Sequence, residues 1–232
     1  MPAISKPQIK YCLFDMDGLL IDSEAIYTKV TNDILAPYGK IMTWDIKKEL
    51  MGKPERAASE TLLSYFPDIS LTVDDYIAQR RVAQDLAWPT VSLLPGSQRR
   101  NYELKTGHLG ETFGLFGDAV VCGDDPEVKR GKPAPDVFLV AAKRAGVTEA
   151  GLDEGEGVTE QAKKARAQGL VFEDATSGVI AGKRAGMNVV WIPDPNLSAL
   201  TTSEDLGADE TLRSLVDFKP ESWGLPPYPA TE

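Results

Sequence analysis

Two carboxylates one residue apart, Asp15 and Asp17, stand where the apolar run Tyr11-Cys12-Leu13-Phe14 gives way to Gly18 and a polar stretch. An exposed carboxylate at a strand end can attack phosphorus in line and hold the phosphoryl group covalently, which divides one slow displacement into two. A second acid two residues on can return to the same pocket, protonate the leaving oxygen and later take a proton from the attacking water. Asp15 is therefore the candidate nucleophile and Asp17 the candidate acid/base. The plainer alternative makes both of them turn and cap carboxylates ahead of a helix at Ser23. Asp22 and Ser23 themselves suit cap and hinge work better than chemistry.

A second acidic pair, Glu173-Asp174, ends the apolar run Leu170-Val171-Phe172. Adjacent acids at a strand end leave negative charge uncompensated unless a cation is present, and hard oxygen ligands of this kind suit Mg²⁺. Lys132 lies in Lys129-Arg130-Gly131-Lys132-Pro133-Ala134-Pro135-Asp136, where the two prolines stiffen the loop that presents it. A fixed ammonium beside a nucleophilic carboxylate would hold it ionised and balance the charge of an incoming phosphate. Lys129 and Arg130 are read as solvated. Asp124 and Asp125, after Val120-Val121-Cys122, either support the pocket or shape a loop, and His108, the only histidine, is read as structural.

Short apolar runs that end in polar or glycine residues must position these groups. Residues 10–17, 119–123, 169–173 and 188–192 read as strands with helical segments between them, which indicates a parallel α/β sheet whose functional groups gather at the carboxyl ends of the strands. Between the first two strands the periodicity changes to helical. Ile26, Tyr27, Val30, Ile34 and Leu35 share one helix face; further helices begin near Thr43, at Pro54 and after Thr72. The acidic, glycine-rich stretch 147–157 and the polar helix 159–168 read as a surface excursion. Trp223 to Tyr228 reads as an ordered tail laid over the core.

The run Phe14-Asp15-Met16-Asp17-Gly18-Leu19-Leu20-Ile21-Asp22-Ser23-Glu24 matches every position of DxDGxLxDSE, the opening motif of the haloacid dehalogenase-like phosphohydrolases, and the chain resembles that family from about residue 9 to Tyr228. The resemblance implies an α/β Rossmann-like core over 1–18 and 91–232 with an inserted four-helix cap over 19–90. It implies that the GKPxPD pattern supplies the active-site lysine, Lys132. It also implies that Asp15, the backbone carbonyl of Asp17, Asp174 and Glu173 form the Mg²⁺ shell, with Glu173 either a direct ligand or one step behind. The stretches 123–129, 138–143 and 193–197 look closest to a eukaryotic branch that includes pseudouridine-5'-phosphatase. Lys53 and Trp44, near helix ends of the cap, are candidate substrate contacts.

One departure from the family stands out. After Leu93-Leu94-Pro95-Gly96 the family continues with a core helix and a strand ending in a phosphate-binding Thr or Ser, whereas here Gly96 runs straight into Ser97-Gln98-Arg99-Arg100. An average helix, strand and connection come to roughly 20 residues, and that much is missing. Ser97 either takes over the lost hydroxyl contact or caps the helix that follows. Three outcomes are open for the gap in the sheet: the strand at Val120 closes on the first strand, another chain fills the space, or the fold is impaired with an open edge.

The chain has 232 residues and a net charge of -10, which argues against a nucleic-acid or anionic-membrane surface. The two cysteines, Cys12 and Cys122, lack metal or disulfide spacing and read as reduced core residues. No apolar stretch reaches the length of a membrane span, so a cytoplasmic location is expected. The expected function is Mg²⁺-dependent hydrolysis of a small phosphomonoester through an aspartyl-phosphate. Pseudouridine 5'-phosphate, glycerol phosphate and sugar phosphates are the candidate substrates. The alternatives are a phosphosugar mutase of the same superfamily and a catalytically impaired phosphate-ligand binder, with oligomeric state open.

Overall fold

The computed structural model describes residues 8–51, 53–88, 103 and 105–228. It divides into two compact units, Met16–Leu115 and Met1–Asp15 with Phe116–Glu232. Gly96 and Ser97, where the family pattern breaks, lie outside the described residues.

In the Met16–Leu115 unit the periodicity of the sequence is realised as four helices: α1 (Ser23–Leu35), α2 (Trp44–Leu50), α3 (Glu55–Ser64) and α4 (Val73–Ala87). Their apolar faces meet in a cluster of Val30, Ile34, Leu35, Ile46, Leu62 and Tyr76, joined by Met42 and Leu71 from the connections. Asp22 caps α1 by accepting from the Ala25 amide at 3.2 Å, and Thr72 caps α4 by accepting from the Asp75 amide at 3.1 Å. Thr43 occupies the cap position of α2 without making that bond. A short α5 (Gly110–Phe113) follows.

The other unit carries a four-stranded parallel sheet in the order β1 (Tyr11–Phe14), β2 (Gly169–Glu173), β3 (Asn188–Trp191), β4 (Glu210–Thr211). β2 is buried throughout, as expected of an apolar strand covered on both faces. The helices are α6 (Asp136–Arg144), α7 (Glu160–Arg166), α8 (Thr176–Arg184), α9 (Pro195–Ser198) and α10 (Ser203–Leu206). The two-residue β4 was not legible in the sequence; its pairing with Val190 and Trp191 defines it.

The strand expected at 119–123 does not form, which corrects the sequence reading. Val120 to Cys122 is irregular: the Cys122 amide donates to Asp125 Oδ2 at 2.8 Å and Arg144 Nη1 donates to the Val120 carbonyl at 2.7 Å. Among the described residues β1 pairs only with β2. An apolar run becomes a strand only when a neighbouring strand takes its hydrogen bonds, and among the described residues no strand pairs with Val120 to Cys122.

The acidic stretch 147–157 is held more closely than an excursion requires. Arg166, 3% exposed, donates to the carbonyls of Ala150 at 2.7 Å and Asp153 at 2.8 Å. Glu154 pairs with Arg130 at 3.0 Å and with Arg184 at 2.7 Å, so Arg130 is a tether and not merely solvated. The tail expected over 223–228 lies on the core at its first residue: Trp223 is buried, its indole donates to Glu210 Oε2 at 2.6 Å, and its carbonyl accepts from Ile9, whereas Tyr228 is exposed.

Candidate active site

Parallel pairing in register builds the site. Phe14 lies opposite Phe172, and the Asp15 amide donates to the Phe172 carbonyl at 2.9 Å, so the ladder runs one residue past β1. Asp15 and Glu173 thereby become neighbours at the carboxyl ends of adjacent strands. Below them the rings of Phe14 and Phe172 stack at 4.7 Å. Asp174 follows directly, its carbonyl accepting from the Trp191 indole at 2.8 Å.

The loop before α6 delivers the cation. Asp136 ties it from behind, accepting from the Arg130 amide at 3.0 Å and pairing with its guanidinium at 2.6 Å. Burial raises the Asp136 carboxyl, but Arg130 outweighs it and holds the group below its ordinary value. Lys132 then donates from one ammonium to both Asp15 Oδ1 and Glu173 Oε1, with the Phe138 ring 5.1 Å from its nitrogen. Burial works to lower the Lys132 pKa, but the charges of Asp15 and Glu173 prevail and raise it well above its usual value. Glu173, fully buried, is pushed upward by burial and by the Asp15 charge, with Lys132 opposing.

Asp15, Glu173 and Asp174 each offer a carboxylate oxygen, and these atoms lie within 4.8 Å of one another. The donor set is all oxygen, and three carboxylates exceed the single charge of Lys132. Both facts suit a hard divalent cation such as Mg²⁺.

Four of the six site residues read from the sequence, Asp15, Lys132, Glu173 and Asp174, thus fall in one cluster. Asp17 belongs to the other unit, where its Oδ1 accepts from Lys105 Nζ at 2.7 Å, and Ser97 lies outside the described residues. Asp125 shapes the loop, pairing with Arg144 at 2.8 Å. Lys53 donates to Thr61 at 2.9 Å, and Trp44 opens α2 with the Lys47 ammonium 5.7 Å from its ring.

Two residues were missed. Lys105 sits in a polar run with no local hint of burial. Gly178, in the first turn of α8, lies against Glu173; a glycine inside a helix, unfavourable there by about 1 kcal/mol, was the available signal.

A family model described as haloacid dehalogenase-like hydrolase matches residues 9–186. The chain is 43% identical to (DL)-glycerol-3-phosphatase 2 of Arabidopsis thaliana over 243 positions, covering 95% of this chain and 93% of that protein. It is 37% identical to a Drosophila melanogaster protein named "Probable pseudouridine-5'-phosphatase", covering 95% and 96%. An alignment of 243 positions that draws on 95% of 232 residues leaves positions of the plant protein with no counterpart here. Among solved structures, a hydrolase of Deinococcus radiodurans with bound phosphate and sodium superposes with a TM-score of 0.66 at 21% identity, covering 96% of this chain and 99% of that one.

Proposed function

The chain belongs to the haloacid dehalogenase-like hydrolases, and from that premise we propose that it is a Mg²⁺-dependent phosphatase of small phosphomonoesters, with Asp15 as nucleophile. The observation that carries the reading is the convergence of Asp15, Lys132, Glu173 and Asp174 on one sheet edge. Asp15 forms a bond to phosphorus as the bond to the leaving oxygen breaks, and Asp17, two residues on in the chain, gives that oxygen a proton. Water then attacks the aspartyl-phosphate and Asp17 takes its proton, so phosphate leaves and both acids return to their starting forms.

Lys132 holds Asp15 as the carboxylate and offsets charge on the phosphoryl oxygens. Asp15, Glu173, Asp174 and the Asp17 carbonyl would hold Mg²⁺, which supplies further charge neutralisation when bound. Glycerol 3-phosphate and pseudouridine 5'-phosphate head the substrates, because the relatives at 43% and 37% identity carry those names. The division into a core over 1–18 and 91–232 and a cap over 19–90 is part of the proposal, with cap residues selecting the alcohol half of the ester. No helix of the described residues is long and apolar enough to cross a membrane, and a cytoplasmic location completes the reading.

Acid-quenched protein taken during turnover tests the covalent step. A hydroxylamine-sensitive phosphate on Asp15 is expected. Phosphate release with no modification of Asp15 would replace the covalent route with direct attack by water.

A further inference from the structure

The strongest unassigned feature is Lys105. Its side chain is 0% exposed, its ammonium lies 2.7 Å from Asp17 Oδ1, and Asp17 is itself 24% exposed. Trp88 and Tyr27 wall the ammonium in, with ring centroids 4.3 and 5.4 Å from Nζ and the Tyr27 hydroxyl at 3.5 Å. The two rings meet edge to face at 5.3 Å. The turn carrying the lysine is closed by the Gly107 amide on the Glu103 carbonyl at 3.1 Å.

Burying an ammonium this completely is costly, and an ion pair so placed is seldom more stable than a well-packed apolar side chain. Two aromatic faces offset part of the cost. What the arrangement does achieve is directional. A desolvated ammonium must keep its carboxylate acceptor, so the pair pins one oxygen of Asp17. The backbone is pinned as well, since Gly18 turns the chain at φ 88°, Asp17 bridges to Ile21, and Leu19 and Ile21 are buried. Resting on the reading of Asp17 as acid/base, we infer that Lys105 is a positioning residue that fixes the Asp17 carboxylate for proton transfer at the phosphate ester.

A mutant cycle in turnover tests this, with Asp15→Asn as blank and glycerol 3-phosphate and pseudouridine 5'-phosphate as substrates. Lys105→Met keeps the volume of the side chain. It is expected to lower kcat by roughly tenfold to a hundredfold, with KM within about threefold, because misplacement of a reacting group costs about that much. In an Asp17→Asn background the same change should cost less than about threefold, since there is no carboxylate left to place. Thermal unfolding supplies a second reading: the Asp17→Asn single variant should melt lower than the double variant, which no longer buries an ammonium that has lost the Asp17 charge.

Equal losses in both backgrounds, no loss in the wild-type background, or an unfolded Lys105→Met protein would overturn the inference. The last outcome would make the lysine a folding residue. Wild-type turnover no higher than the Asp15→Asn blank would overturn the proposed function and the inference with it, an outcome distinct from the others because they retain wild-type turnover.

Discussion

Gly178 approaches Glu173 so closely that a Cβ on the glycine would lie 1.9 Å from both Cδ and Oε1 of the carboxyl group. No flexible end is available to yield, because Glu173 is fully buried and held by Lys132 and by the Ala175 amide at 3.3 Å. Gly178→Ala must therefore displace the carboxylate or the first turn of α8. Overpacking of this kind costs about 1–3 kcal/mol. A fall in unfolding free energy of that size, with a rise in the Mg²⁺ concentration needed for half-maximal activity, is the expected outcome. Denaturant unfolding and a Mg²⁺ titration measure the two effects, and an unchanged Mg²⁺ requirement would show that Glu173 does not serve the metal.

Lys132 balances two carboxylates at once. Lys132→Met leaves Asp15 and Glu173 facing each other without a counter-charge, a situation that costs roughly 3–5 kcal/mol when a buried pair is broken. Loss of a charge that stabilises the transition state lowers turnover by about 10²–10³. The variant should also gain more thermal stability from Mg²⁺ than the wild type does, since the cation then supplies the missing positive charge. Equal Mg²⁺ shifts in the two proteins would contradict the shared cluster.

The alkaline side of the stability profile follows from β1. Burial pushes the Cys12 thiol up from 9.0 to about 11, and pushes the Tyr11 phenol up to about 12 against the opposing pull of Arg166. Above pH 9 the unfolded chain sheds these protons first, so the folded state binds more protons and stability falls as pH rises through the window. Urea unfolding at pH 8 and at pH 10.5 should show a lower midpoint at the higher pH. The thiols of folded protein should also react slowly with a disulfide reagent at pH 8 and rapidly after unfolding, as Cys12 is half-buried and Cys122 buried.

Arg166 ties the acidic stretch to α7. Arg166→Met removes the donors to the Ala150 and Asp153 carbonyls, and leaving the buried Ala150 acceptor unpaired costs about 1–3 kcal/mol. Limited proteolysis should cut within 148–157 sooner than in the wild type; an unchanged digestion pattern would show that Glu154 and its two arginines hold the loop unaided.

Much of this was legible in the sequence because it is local. Apolar runs ending in acids gave β1 and β2 with Asp15, Glu173 and Asp174 at their tips, and helical spacing gave α1 to α4. The failures are non-local. Val120-Val121-Cys122 has strand composition, but among the described residues no strand pairs with it to take its hydrogen bonds. Lys105 owes its burial to Tyr27 and Trp88, distant in sequence, and Gly178 owes its necessity to a carboxyl group that only the packing of α8 on β2 brings near.

The central claim is that the Asp15 cluster performs phosphoryl transfer in a chain whose sequence departs from the family pattern after Gly96. Phosphate release from glycerol 3-phosphate and pseudouridine 5'-phosphate, with and without Mg²⁺, measured on monodisperse folded protein against Asp15→Asn, tests it most directly. Mg²⁺-dependent turnover above the blank is the expected result. Saturable substrate binding with no turnover would contradict it and make the protein a binder that has kept the site and lost the reaction.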